Sequence, residues 1–209
     1  MEILNPVAQA YTFAAQAFAY PRRDYYDLLA SEAGQAWLRG VFSRLPFRVA
    51  LNEELRFSLP WEDVEPEYIN AFDVAPSCPL HEGLIVQDGS RQALFEDLMR
   101  FYEHIGVHLR EEPREYYPDH LCVELEVMAY LAEEETKADG SEGMPQALRL
   151  AQRDFLERHL GAWFPLVNRR LPGATREMFY TRVGSCLEAL LLHHRDYLQK
   201  AVTEGRDAG

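Results

Sequence analysis

Tyr117-Pro118-Asp119-His120, with Glu124 four residues beyond the histidine, sets an acid, an imidazole and a second carboxylate where a loop meets a helix. Residues four apart share a helix face, so His120 and Glu124 can work together on a proton or a cation. Each residue also has a purely structural reading. An Asp between a proline and an apolar helical run is placed to accept from the first free backbone N–H groups as an N-cap. His120 and Glu124 can equally be a surface pair worth roughly a few tenths of a kcal/mol. Residue types alone leave these alternatives open.

Other chemistry is sparse. A di-iron carboxylate bundle needs Glu-x-x-His pairs on inward faces, and the sequence has none. His104 and His108 are spaced to share a metal, but no third ligand accompanies them and Gly106 lies between. His193 and His194 are adjacent, face different directions on a helix, and suit a helix C-terminus. His81-Glu82 lacks the second histidine of a zinc protease, and no Gly-Lys dipeptide, G-x-G-x-x-G or G-x-S-x-G occurs. No metal site and no bound cofactor is expected.

The elements that must hold these residues read as helices. Pro6 to Tyr20 carries Val7, Tyr11, Ala14, Ala15 and Phe18 at helical spacing until Pro21. Tyr25 to Leu29 and Trp37 to Leu45 give two shorter helices, with the break expected at Gly34. Arg48 to Leu59 suits helix or strand, and Asn52-Glu53-Glu54 tips it to helix. Residues 60–90, punctuated by six prolines and glycines, are expected to form a long ordered loop and a potential hinge for helix swapping.

Beyond it, Ser90 is expected to cap a helix carrying Leu94, Leu98, Phe101, Tyr102 and Ile105, with Gly106 weakening its end. Helices follow from Asp119, through Leu148 to His159, from Trp163 to Leu171, and from Thr175 onward. No segment joins β-branched enrichment to strict alternation. The expected class is all-α, one domain over residues 1–209 with eight to ten helices.

Composition narrows the partners. Thirty-four acidic against 21 basic residues give a net charge of −13, which disfavours nucleic acid and anionic lipid. No stretch approaches the ~20 apolar residues of a membrane span, and Arg22-Arg23 is followed by Asp24-Tyr25-Tyr26-Asp27 rather than an apolar export segment. Three widely spaced cysteines fit a reducing cytoplasm, with Cys122 and Cys186 on apolar helix faces.

The charge is uneven: residues 111–135 hold nine acidic side chains against Arg114 alone, whereas 145–209 hold ten basic and seven acidic. The acidic run is either a solvated helix face or a docking patch for a cationic peptide. Trp61, Tyr68 and Phe72 are either tucked under the bundle or offered as a groove.

Tyr117-Pro118-Asp119-His120-Leu121, with Glu124-Leu125 and Met128-Ala129-Tyr130-Leu131, resembles the P-D-H-x-x-x-E-L-x-x-M-x-x-L signature of the TorD/DmsD/NarJ-type redox enzyme maturation chaperones. Phe101-Tyr102, Gly106, Phe155-Leu156, His159-Leu160, Trp163 and Phe179-Tyr180 carry the likeness across most of residues 90–200. Tyr25 to Leu29 and Tyr68-x-x-Phe72-Asp73 are also similar, and the latter leans toward the nitrate reductase branch without deciding it. Pro76-Ser77-Cys78-Pro79-Leu80-His81-Glu82 follows the family's proline and Glu pattern only loosely.

The resemblance implies an all-α cytoplasmic chaperone that is not an enzyme. It implies a client, an immature catalytic subunit of a molybdopterin-dependent oxidoreductase, held often at its twin-arginine signal peptide while cofactor is inserted. Tyr117, Pro118, Asp119, His120 and Glu124 are then the expected client site, on a monomer or a helix-swapped dimer. Two other classes compete: an acidic helical adaptor without a dedicated client, and an enzyme, either a metal-dependent helical hydrolase using His104 and His108 or a nucleotide-processing protein.

Overall fold

Asn5 opens the first helix by accepting from the backbone N–H groups of Val7 (2.7 Å) and Ala8 (3.4 Å), with Pro6 supplying a first-turn residue that needs no acceptor. In the computed structural model, residues 5–86, 90–108, 117–138, 140–141 and 143–207 are described, the last four as backbone alone. Ten α-helices run through them: α1 Pro6–Phe18, α2 Arg23–Ala30, α3 Glu32–Ser43, α4 Trp61–Tyr68, α5 Glu82–Ile85, α6 Arg91–His104, α7 Leu121–Lys137, α8 Met144–Arg158, α9 Leu160–Ala174 and α10 Met178–Asp207. The protein is all-α, as the periodicity predicts.

Helices α1 and α7 are the central pair, each buried around most of its circumference, and they lie against one another. Five alanines on α1 (Ala8, Ala10, Ala14, Ala15 and Ala17) are buried and let the two backbones approach closely. Helices α8 and α9 pack against α7, α10 lies across α8, α9 and α1, and α3 packs on α1. Phe18, Phe72, Phe164 and Tyr180 meet edge-on or tilted in the core, with ring centres 4.9–6.3 Å apart.

Several elements differ from the sequence reading. Arg48 to Leu59 is irregular extended chain, not helix. Its backbone partners are side chains from elsewhere: Gln35 exchanges hydrogen bonds with the Leu55 backbone (3.1 and 3.2 Å), and Glu177 accepts from the Ser58 and Leu59 N–H groups (both 2.8 Å). Phe57 stacks on Phe179 at 4.1 Å. Nothing local announces such long-range partners.

The 60–90 connection is not a loop throughout. It contains α4, a π-helical turn at Ile69–Asp73 closed by the Val74 N–H on Ile69 O, and the short α5. Tyr68 and Phe72 are buried under the bundle, and Tyr68 donates to Phe18 O at 3.0 Å. The α2–α3 break falls at Ser31, whose hydroxyl accepts from the Gly34 N–H; Gly34 lies inside α3, where a Cβ would stand 2.0 Å from Leu28 O.

Helix ends differ too. Gly106, at φ +76°, closes α6 rather than weakening it: its N–H reaches Glu103 O and the Val107 N–H reaches Tyr102 O. Ser90 precedes α6 without a capping side-chain bond. Thr175 donates to Glu67 (2.9 Å), and the last helix begins at Met178. His193 and His194 lie inside α10, far from the end where the macrodipole acts. His194 is buried against Phe47 and bonded to the Tyr11 hydroxyl, and burial pushes its imidazole down to about 3.

Candidate functional site

The amino end of α7 is where the sequence motif meets an unexpected partner. Leu80 O accepts from the Leu121 N–H and Asp119 O accepts from the Glu82 N–H, both at 2.9 Å, forming an isolated antiparallel bridge between His81 and His120. The Tyr102 hydroxyl fixes the other side by donating to Pro118 O at 2.9 Å. The proline-rich connection is thereby clamped onto the start of α7. Glu82, held off by its loose fit to the family pattern, is brought into the site.

His120, not Asp119, is the N-cap: its Nδ1 accepts from the Cys122 N–H at 3.1 Å, which requires a ring unprotonated at that nitrogen. Burial pushes the His120 imidazole down to about 3, with the charge of His81 adding to the effect and Asp119 opposing it. Asp119 turns the opposite way, with no exposed surface. Its Oδ1 takes the His81 ring Nδ1–H at 3.0 Å, and its Oδ2 takes the Gly83 N–H at 3.3 Å and faces Arg91 Nε at 3.6 Å. Burial raises the Asp119 carboxyl, but His81, Arg91 and the Gly83 N–H outweigh it and hold it below its ordinary value.

Glu124 is also fully buried, so His120 and Glu124 are not a surface pair. Trp163 Nε1 donates to Glu124 Oε2 at 2.8 Å, and Glu82 shares a side-chain hydrogen bond with the same carboxyl. Burial, then the neighbouring Glu82, raises the Glu124 carboxyl well above its ordinary value. Glu82 faces His159 Nδ1 at 3.1 Å, and His159 Nε2 lies 3.5 Å from Asp97. His159 occupies the sharp junction of α8 and α9, where a Cβ on the following Gly161 would stand 2.4 Å from Leu156 O.

Of the five residues singled out by sequence, only Tyr117 is exposed, at 58%. Its ring lies 6.2 Å from Phe95 and 6.1 Å from His81, with the Arg91 guanidinium 5.6 Å away. Pro118, Asp119, His120 and Glu124 are buried beneath it. His81, Glu82 and Arg91 escaped the sequence reading as site residues because the bridge at their centre joins His81 to His120, 39 residues apart. His159 and Trp163 stood among the family features, without a role.

Among the described residues the acidic run is split between buried, paired and exposed side chains, Glu126 being exposed. Glu111, Glu112, Glu115 and Arg114 lie outside the described residues. Of the others, Asp119 and Glu124 are buried, Glu133 accepts from the Asn5 N–H, Glu134 pairs with Lys137, and Glu135 pairs with Arg149. A cleft of about 410 Å³ beside the first turns of α7 is lined by Ala15, Ala19, Tyr20, Tyr25, Leu28 and Cys122, among others. Among the described residues no group of three potential ligands gathers around a metal position, and His104 and His108 are exposed.

The model of the nitrate reductase delta subunit family matches residues 47–169, across the clamp and the start of α9. The chain belongs to that family. Members of the same group of curated relatives are similar over nearly its whole length. The selenate reductase assembly chaperone protein of Thauera selenatis is 37% identical over 201 residues, covering 93% of this chain and 91% of that one. The chlorate reductase assembly chaperone protein of Ideonella dechloratans is 34% identical over 210 residues, covering 97% and 96%.

A solved chain described as a candidate redox enzyme maturation protein from Archaeoglobus fulgidus shares the fold, with a TM-score of 0.52 at 16% identity over 92% of this chain and 93% of that one. The two curated relatives are assembly chaperone proteins by name, and the solved chain shows the shared fold. No helix among the described residues is long and apolar enough to cross a membrane.

Proposed function

We propose that this delta-subunit family protein is a dedicated cytoplasmic assembly chaperone, acting as one domain. In this reading it binds the immature catalytic subunit of a molybdopterin-dependent oxidoreductase, at or near a twin-arginine signal peptide. It holds that subunit while cofactor is inserted, before assembly or export. The observation that carries the reading is the match, over more than nine-tenths of the chain, to assembly chaperones of selenate and chlorate reductases.

The site geometry supports a division of labour. Tyr117 presents the contact surface, and Pro118, Asp119, His120 and Glu124 organise it from below, since buried side chains hold a loop in place without meeting a client. The internal pairing of the described acidic residues speaks against a general adaptor that attracts any basic segment. Deleting the gene in its host tests the reading. The reductase subunit should then accumulate without molybdenum and without activity, restored by the intact gene; a fully loaded subunit in the deletion strain would overturn it.

A further inference from the structure

The Arg91 guanidinium covers Phe95, four residues on along α6, and reaches beyond its helix to Tyr117 and Asp119. It lies 5.1 Å from the Phe95 ring centre and 5.6 Å from that of Tyr117, and its Nε is 3.6 Å from Asp119 Oδ2. Those three groups form a guanidinium seat: a buried carboxylate for charge and two aromatic faces for the flat cation. The fit is loose. At 3.6 Å the ion pair is longer than a charge-assisted hydrogen bond, and the Arg91 side chain remains 45% exposed.

Asp119 does not depend on Arg91, because His81 and the Gly83 N–H still serve its two oxygens if the guanidinium leaves. One cation can therefore replace another without stranding a buried charge. We propose that Arg91 is a built-in placeholder, and that an arginine side chain from a partner peptide displaces it to sit on Asp119 between Phe95 and Tyr117. This inference rests on the chaperone reading and adds the chemistry of contact: one arginine, recognised by its plane as well as its charge. Lysine supplies the charge without the plane, so it competes poorly for the seat.

The test uses the full chain and a synthetic peptide carrying two adjacent arginines before a leucine-rich stretch, beside a twin in which both arginines are lysine. Binding is measured by titration calorimetry to the natural protein, to Arg91→Ala and to Arg91→Gln. Removing a loosely held competitor should tighten the arginine peptide by up to about fivefold in both variants and leave the lysine twin weak.

Weaker or unchanged binding of the arginine peptide to both variants, equal gain for the lysine twin, or no binding to any form would overturn the placeholder. Arg91 is a surface residue, and two substitutions of different size guard against a misfolded variant. Failure here is separable from failure of the chaperone reading, which is judged by molybdenum content of the reductase in the deletion strain.

Discussion

Trp163 donates its indole N–H to Glu124 at 2.8 Å, joining α9 to α7 through two side chains with no exposed surface. Burial and the nearby Glu82 raise the Glu124 carboxyl well above its ordinary value, so folding favours its protonated form. In the unfolded chain this carboxyl loses its proton near pH 4.3. Above that pH the folded state binds the extra proton, so stability falls as pH rises. Glu124→Gln removes the titration while keeping an oxygen for Trp163. The variant should exceed the natural protein in stability at pH 7, with the difference closing toward pH 4, as read from urea unfolding at several pH values.

Trp163→Phe keeps an aromatic ring, deletes the donor and leaves a small cavity where the rest of the buried indole stood. Glu124 Oε2 is then buried without a partner, at a cost of about 1–3 kcal/mol. Combining Trp163→Phe with Glu124→Leu should cost less than the sum of the two single changes. A double-mutant cycle by chemical denaturation measures the coupling.

His120 and His194 give the opposite pH dependence. Each unfolded imidazole takes a proton near pH 6.5, whereas burial keeps the folded rings neutral down to about 3. Protonation therefore favours the unfolded chain, and stability should fall below pH 6.5 by ~1.4 kcal/mol per pH unit for each ring. His194→Gln should make the slope between pH 6 and 4 shallower by one proton. An unchanged slope would show that this ring already charges in the fold.

The cap at His120 predicts a graded series. His120→Ala loses the acceptor for the Cys122 N–H and should cost about 1 kcal/mol, most of it restored by His120→Asn, whose side-chain oxygen caps helices well. Melting temperatures of the three proteins at pH 7.5 decide this.

Much of the fold is legible in the sequence because α1, α7 and α10 carry long apolar stripes whose period needs no knowledge of neighbours. Arg48 to Leu59 was not, because Gln35 and Glu177 replace the local hydrogen bonds that a helix would have made. The site divides the same way. The Tyr117-Pro118-Asp119-His120 junction was visible, but the capping role passed from Asp119 to His120 once His81 and Gly83, some 38 and 36 residues away, claimed the Asp119 carboxylate.

Tyr117→Ala separates surface from support. The side chain is exposed, so stability should stay within about 0.5 kcal/mol of the natural value. Co-purification of the reductase subunit should nonetheless fall several-fold, measured with equal amounts of both tagged proteins.

The central claim is tested most directly by affinity capture of the tagged protein from a lysate of its native host, without oxygen and with the reductases expressed, followed by mass spectrometry. The account predicts one large molybdopterin-dependent catalytic subunit in near-equal amount, diminished in the Tyr117→Ala sample. Recovery of the chaperone with no such subunit would contradict it.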